Sequence, residues 1–232
     1  MTTRLPVGRS GRRETFHLCF HPGVGDGDDI RHPIFARMYR RLAARAEPLV
    51  GEHRRELLAG LAGRVVEVGA GTGLNFAHYP PAVEEVVAVE PEPTMRAAAR
   101  EAAGSAPVPV TVVPGRAEAL PGDDGSFDAA VTALVLCSVA DQPRALDEIR
   151  RVLRPGGELR FYEHVRAENA AGRLVQQAAD PLWSRLLGGC HPDRDTLAAL
   201  RGAGLEVDRV RRLTIRTAAL AAPHILGVAR RR

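Results

Sequence analysis

The chain has 232 residues, 45% of them apolar and 26% charged, with a formal net charge of +4. That composition fits one soluble globular domain with a substantial core, and no apolar run is long enough to span a bilayer. Every basic residue is an arginine, most of them scattered among acids, which places nucleic-acid binding behind a small-molecule function. The three cysteines, Cys19, Cys137 and Cys190, are odd in number and form no CxxC. Their spacing argues against a disulfide framework and a structural zinc site, so free thiols in a cytoplasmic setting are expected.

Residues 1–30 are rich in Gly, Arg, Asp and His and hold no continuous hydrophobic segment. They are expected to be a flexible leader and not a secretory signal. From 31 to 60 the apolar residues recur at helical spacing, predicting two covering helices broken at Pro48 and ended by Gly60 and Gly63. Over 61–165 the pattern changes. "RVVEVGA", "EVVAVEP", "VPVTVVPG", "FDAAVTALVL" and "GELRFYEHV" are short β-rich runs separated by helical or turn residues. Such alternation predicts an α/β fold with a parallel sheet and helices on both faces. Residues 166–204 carry two helical stretches expected to cover a substrate. Over 205–232, "LEVDRVRRLTI" and "APHILGVARRR" read as strands that pair antiparallel. Residues 31–232 are thus expected to form one domain.

In "VVEVGAGTGLNF", Gly69, Gly71 and Gly73 follow the first strand as G-x-G-x-G, with Leu74 next. A dinucleotide fingerprint would place its third glycine one position later. Glu67 ahead of the turn would repel a pyrophosphate and suits a cationic ligand or the ammonium of an amino acid. Glu90 ends the second strand, where a carboxylate with two acceptor oxygens matches a vicinal diol.

The order E-x-G-x-G-x-G, strand-end acid, G-x-A-E-x-L-P, S-F-D, L-R-P-G-G resembles the class I S-adenosylmethionine-dependent methyltransferases over roughly residues 60–165. "LVLCSV", "LRPGGELRFYEHV", "QQAADPLW", "GGC" and "PHILGVA" narrow the likeness to the alkyl-thiol S-methyltransferases and their soluble bacterial relatives. The animal members start with a hydrophobic anchor, a run that residues 1–30 do not contain. The resemblance implies a Rossmann-like, seven-stranded, mostly parallel sheet with a reversed last strand, and S-adenosyl-L-methionine as cofactor. It implies that Glu67, Gly69, Gly71 and Gly73, with Ala70 and Asn75 in the same turn, bind the methionine moiety. Glu90 would hold the ribose hydroxyls, Pro91 would flank the adenine, and Leu134 would face the methionine carbon chain. Ala117 and Glu118 would border the adenine edge. Arg116 stands where an aspartate is common, and arginine offers no acceptor.

Methyl transfer is an in-line displacement in which the protein supplies alignment and excludes water. A thiol, with a reference pKa of about 8.5, needs little activation, and no Asn/Asp-Pro-Pro-Tyr motif for amine chemistry is present. His164, ending the fifth strand beside Glu163, is the candidate catalytic residue; it reads equally as a pocket residue and as a satisfied buried histidine. His191 reads as a cap or turn residue and Asp180 as a helix-end acid. Cys137 reads as a small buried hydrophobe, and Trp183 as helix packing or a pocket wall. The expected activity is methyl transfer to a small, largely apolar acceptor, first a thiol. Alternatives are N-, O- or C-methylation of a metabolite, methylation of a phospholipid headgroup, or a cofactor-binding module without catalysis. No nucleic-acid partner, integral membrane association or metal is expected.

Overall fold

A computed structural model describes residues 36, 47, 50–186, 188–216 and 221–232. The expected leader over 1–30 and most of the expected cover over 31–49, including the break at Pro48, lie outside the described residues. Seven strands form one sheet: β1 (Gly63–Val68), β2 (Val83–Val89), β3 (Val110–Val113), β4 (Phe127–Ala133), β5 (Leu153–His164), β6 (Leu205–Arg216) and β7 (Ala221–Arg231). Their spatial order is β3-β2-β1-β4-β5-β7-β6. The strands from β3 to β5 pair parallel, and β7 runs antiparallel to both β5 and β6. This is the reversed last strand of a class I methyltransferase sheet, as the resemblance implies.

The inner strands read as continuous apolar runs because both faces of the sheet are covered. Side chains alternate across the sheet. Val66, Val87 and Phe161 therefore face one core, packed by Leu146 and Ile149 of α2 (Gln142–Val152) and Leu200 of α4 (Thr196–Gly202). Their neighbours Val65, Val86 and Tyr162 face the other, packed by Leu57 and Leu58 of a helical stretch over 50–58 and Ala99 of α1 (Pro93–Ala103). The helices start on the expected chemistry. In α1, Glu92 accepts from Met95 N at 2.7 Å. In α2, Asp141 accepts from Arg144 N at 3.1 Å. Each cap contributes about 1 kcal/mol, and Pro93 and Pro143 stand in the first turns, where a missing N–H costs nothing.

The Pro-Gly-Gly of "LRPGGEL" lies within β5. The β4 register jumps there, from Phe127 opposite Leu153 to Ala129 opposite Glu158. Gly157 makes the bulge possible, since a Cβ would sit 2.8 Å from Arg154 O and 3.0 Å from Asp128 O. The arginine-rich run of β6 is an edge strand whose Arg209, Arg211 and Arg212 are exposed. The long α3 (Ala170–Leu186) continues through Pro181. Among the described residues no helix is long and apolar enough to cross a membrane.

Candidate active site

β1 delivers the chain to the carboxyl edge of the sheet at Val68, and the glycine turn is then tied to the next strand. Gly69 N and Ala70 N both donate to Val89 O, at 2.8 and 3.0 Å. Gly69 has φ +67°, and a Cβ there would lie 2.6 Å from Val135 Cγ2, so only glycine fits. Gly71 N donates to Glu90 Oε2 at 2.7 Å and Glu92 N donates to Oε1 at 2.9 Å. The carboxylate is thus oriented by two backbone donors, and its remaining lone pairs are available to a ligand. Burial pushes Glu90 up from 4.5 to about 7, and these two bonds pull the other way.

Glu67 is a different case. Asn75 Nδ2 donates to its Oε1 at 2.8 Å and the Tyr79 hydroxyl donates to its Oε2 at 2.7 Å. Arg54, itself buried, donates to Asn75 Oδ1 at 2.8 Å and pairs with Glu47 at 3.3 Å. Burial pushes Glu67 up to about 7 against those partners. The resemblance implies that Glu67, Ala70, Gly73 and Asn75 bind the methionine moiety. None of the four lines the cavity described below. Glu67 and Asn75 are the buried buttress behind the turn, because the strand-to-helix bend turns their side chains towards the helix over 50–58.

The cavity, of about 300 Å3, runs along the carboxyl ends of the strands from β3 to β5. At the β3–β2 end its wall includes Glu90, Pro91, Met95, Ala117 and Glu118. Glu118 Oε1 accepts from Ala140 N and Asp141 N at 3.0 and 3.2 Å, and Arg116 Nε lies 3.6 Å from its other oxygen. Gly69 and Gly71 stand mid-way on the β1 edge. Towards β4 and β5 the wall changes to Leu134, Val135, Cys137, His164, Trp183 and Cys190. Leu134 alone among the described non-glycine residues has positive φ, +63°. Such a backbone costs about 1–3 kcal/mol and persists where its surroundings hold it. Leu134 N donates to Tyr162 O at 2.7 Å, and the buried Glu163 carboxylate accepts from Val135 N and Cys137 N at 3.2 and 3.4 Å.

Three side chains from separate segments meet at this second end. His164 Nδ1 is 3.8 Å from Cys137 Sγ and 3.5 Å from Cys190 Sγ, and the two sulfurs are 3.6 Å apart. The contact between the thiols pushes Cys137 up and Cys190 down. The His164 ring packs on His224, centroids 4.2 Å apart, and burial pushes His224 down to about 3, leaving it neutral. The Cys190 loop is anchored by His191 N donating to Cys137 O at 2.8 Å and Arg194 donating to Leu136 O at 2.8 Å. His191 Nδ1 meets both Asp180 oxygens at 2.9 and 3.0 Å. Asp180 is therefore an interior residue of α3 gripping the loop and not a helix-end acid, because the helix continues past Pro181.

Of the expected site residues, the cavity brings together Gly69, Gly71, Glu90, Pro91, Ala117, Glu118, Leu134 and His164. Val135 and Ser138 join them; their position just after a parallel strand was the available signal. Met95 and Cys190 carry no local signal and reach the wall through tertiary packing alone.

A methyltransferase-domain family model matches residues 66–161. The chain is 37% identical over 178 residues to human thiol S-methyltransferase TMT1A, covering 74% of this chain and 72% of that protein. It is 36% identical over 183 residues to human thiol S-methyltransferase TMT1B, covering 74% and 73%. A solved S-adenosylmethionine-dependent methyltransferase from Thermotoga maritima superposes with a TM-score of 0.63 at 25% identity, covering 86% of this chain and 99% of that one.

Proposed function

Because this chain belongs to the class I S-adenosylmethionine-dependent methyltransferases, we propose that it methylates the sulfur of a small, largely apolar thiol. The cradle fits the family's methyl donor: no Cβ can enter at Gly69, Glu90 keeps acceptor capacity for a ribose diol, and Pro91, Met95 and Ala117 offer apolar walls to a flat base. When bound, that donor supplies an electrophilic methyl on a sulfonium. What this chain contributes is alignment and exclusion of water. Gly71 N and Glu92 N hold the Glu90 carboxylate in one orientation before any ligand arrives, and Leu134, Val135 and Trp183 keep the acceptor end apolar.

The distribution of charge carries the choice of a thiol. Among the described residues, the cavity's carboxylates are Glu90, Glu92 and Glu118, all at the β3–β2 end. A cationic amine at the β5 end would meet no carboxylate on the wall, since Glu163 is fully buried and spent on backbone donors. A neutral thiol needs no counter-charge, and its anion forms near neutral pH. The likeness to thiol S-methyltransferases supports the same reading. Incubation with methyl-labelled S-adenosylmethionine and matched panels of alkyl thiols and primary amines tests it. Turnover on thiols is expected; turnover confined to amines would overturn the acceptor assignment.

A further inference from the structure

We propose that Cys137, His164 and Cys190 form a zinc site, closed by the protein on three sides and open to the cavity on the fourth. The donors come from the loop after β4, the end of β5 and the loop after α3, and the fold brings all three onto one stretch of cavity wall. Around a tetrahedral zinc with Zn–S about 2.3 Å and Zn–N about 2.0–2.1 Å, neighbouring donors stand about 3.5–3.8 Å apart. The three separations here are 3.5, 3.6 and 3.8 Å. The sulfurs are far outside the ~2.05 Å of a disulfide bond.

The donor chemistry agrees with the geometry. Two thiolates and a neutral imidazole cancel the charge of a divalent ion, as an apolar wall requires, and thiolates select soft or borderline metals such as zinc. Neighbouring residues hold two of the donors in place. The His164 ring is clamped on His224, and Glu163 anchors the Cys137 backbone. Trp183 lines the same stretch of wall. Three protein ligands with one free position is the pattern of a catalytic zinc, two cysteines and a histidine included. Resting on the thiol reading above, the fourth position takes the acceptor. The acceptor's S–H bond breaks and its sulfur–zinc bond forms, while a zinc-bound water and the proton leave to solvent.

The full chain, reduced and stripped with a chelator, is reconstituted with Zn2+ and separately with Co2+. One bound equivalent is expected, with thiolate-to-cobalt charge-transfer absorption in the cobalt form. Cys190→Ser should lower zinc affinity by ~100-fold or more, beyond the roughly 10–100-fold that a supporting residue costs. His164→Gln should weaken binding while keeping the sulfur charge-transfer band. Unchanged S-adenosylhomocysteine binding at the other end of the cavity shows that each variant is folded. Failure of the reduced wild type to take up zinc, or full uptake by a Cys137→Ser/Cys190→Ser double variant, overturns the site. Zinc uptake without thiol turnover upholds the site and overturns the thiol acceptor; thiol turnover by protein that takes up no zinc does the reverse.

Discussion

At the β2 end of the cavity the polar groups on the wall include main chain and carboxylate close to two strand ends. Gly69 and Gly71 follow β1, Glu90 follows β2, and backbone hydrogen bonds lock them together. At the β5 end they are sulfur and imidazole from positions 137, 164 and 190, and what locks them is packing among loops and a second histidine. The first end is rigid because its partners are backbone atoms of neighbouring parallel strands, whose spacing the sheet fixes. The second depends on α3 and the loop at Gly188 and Gly189 closing over it. The two ends are thus held by different means, one by the spacing of the sheet and the other by its covering segments.

The steepest way to break this division is Gly69→Ala, because Gly69 also touches the β4 loop through Val135. A positive φ costs a side chain about 1–2 kcal/mol and overpacking roughly 1–3 kcal/mol. Urea denaturation should therefore show a loss of about 2–5 kcal/mol, and S-adenosylhomocysteine binding should collapse. Adding Val135→Ala should recover the packing part and leave only the backbone part, about 1–2 kcal/mol.

Next in size, Glu90→Gln should weaken S-adenosylhomocysteine binding by about 1.5–3 kcal/mol, the range for hydrogen bonds to a charged group. The KM for a thiol should stay unchanged, since that residue serves the other end; calorimetry and steady-state kinetics read the two separately. Equal losses in both would show that the ends are not independent.

A smaller effect follows from the pKa of Glu90, about 7 in the folded protein against an ordinary 4.5. Hydroxyls donating to a carboxylate favour its ionised form, so binding should release a proton near neutrality. Affinity should rise with pH through about 7 and level off above it, by at most about tenfold per pH unit. Folding runs the opposite way. Glu67 and Glu90 both carry raised values, so their contribution to stability is full below about 4.5 and is lost as pH rises through about 7. Calorimetry in buffers of differing ionisation enthalpy checks the first trend, and denaturation across the same range checks the second.

The smallest expected change is the most diagnostic. Glu67→Gln should shift S-adenosylhomocysteine affinity by less than about threefold, under ~0.7 kcal/mol, because Glu67 sits behind the turn with Asn75 and Tyr79. A tenfold loss would mean that its carboxylate reaches the ligand after all.

Much of this molecule can be read from local pattern. Apolar runs such as "VVAV", turn glycines and Pro at helix starts identify the strands, the helices and the antiparallel closing pair, and the G-x-G-x-G turn and strand-end Glu90 mark the β2 end of the cavity. Two positions take their surroundings from distant parts of the chain. Neither Glu67 nor the Pro-Gly-Gly before "ELRFYEHV" reveals in its own string what packs against it. Arg54 and Asn75 decide the first, and the backbone of Arg154 and Asp128 decides the second.

Residue order by itself determined the sheet, its closing reversal and the β2 end of the cavity, since period, turn chemistry and parallel pairing act over short stretches. Only the tertiary structure decided that Cys137, His164 and Cys190 face one another. Spacing read along the chain argues against a metal there, but donors 26 and 27 residues apart become neighbours once β5 lies beside β4 and the loop after α3 folds back over their ends. Proximity of that kind is a property of the packed sheet and is not encoded in any segment short enough to read.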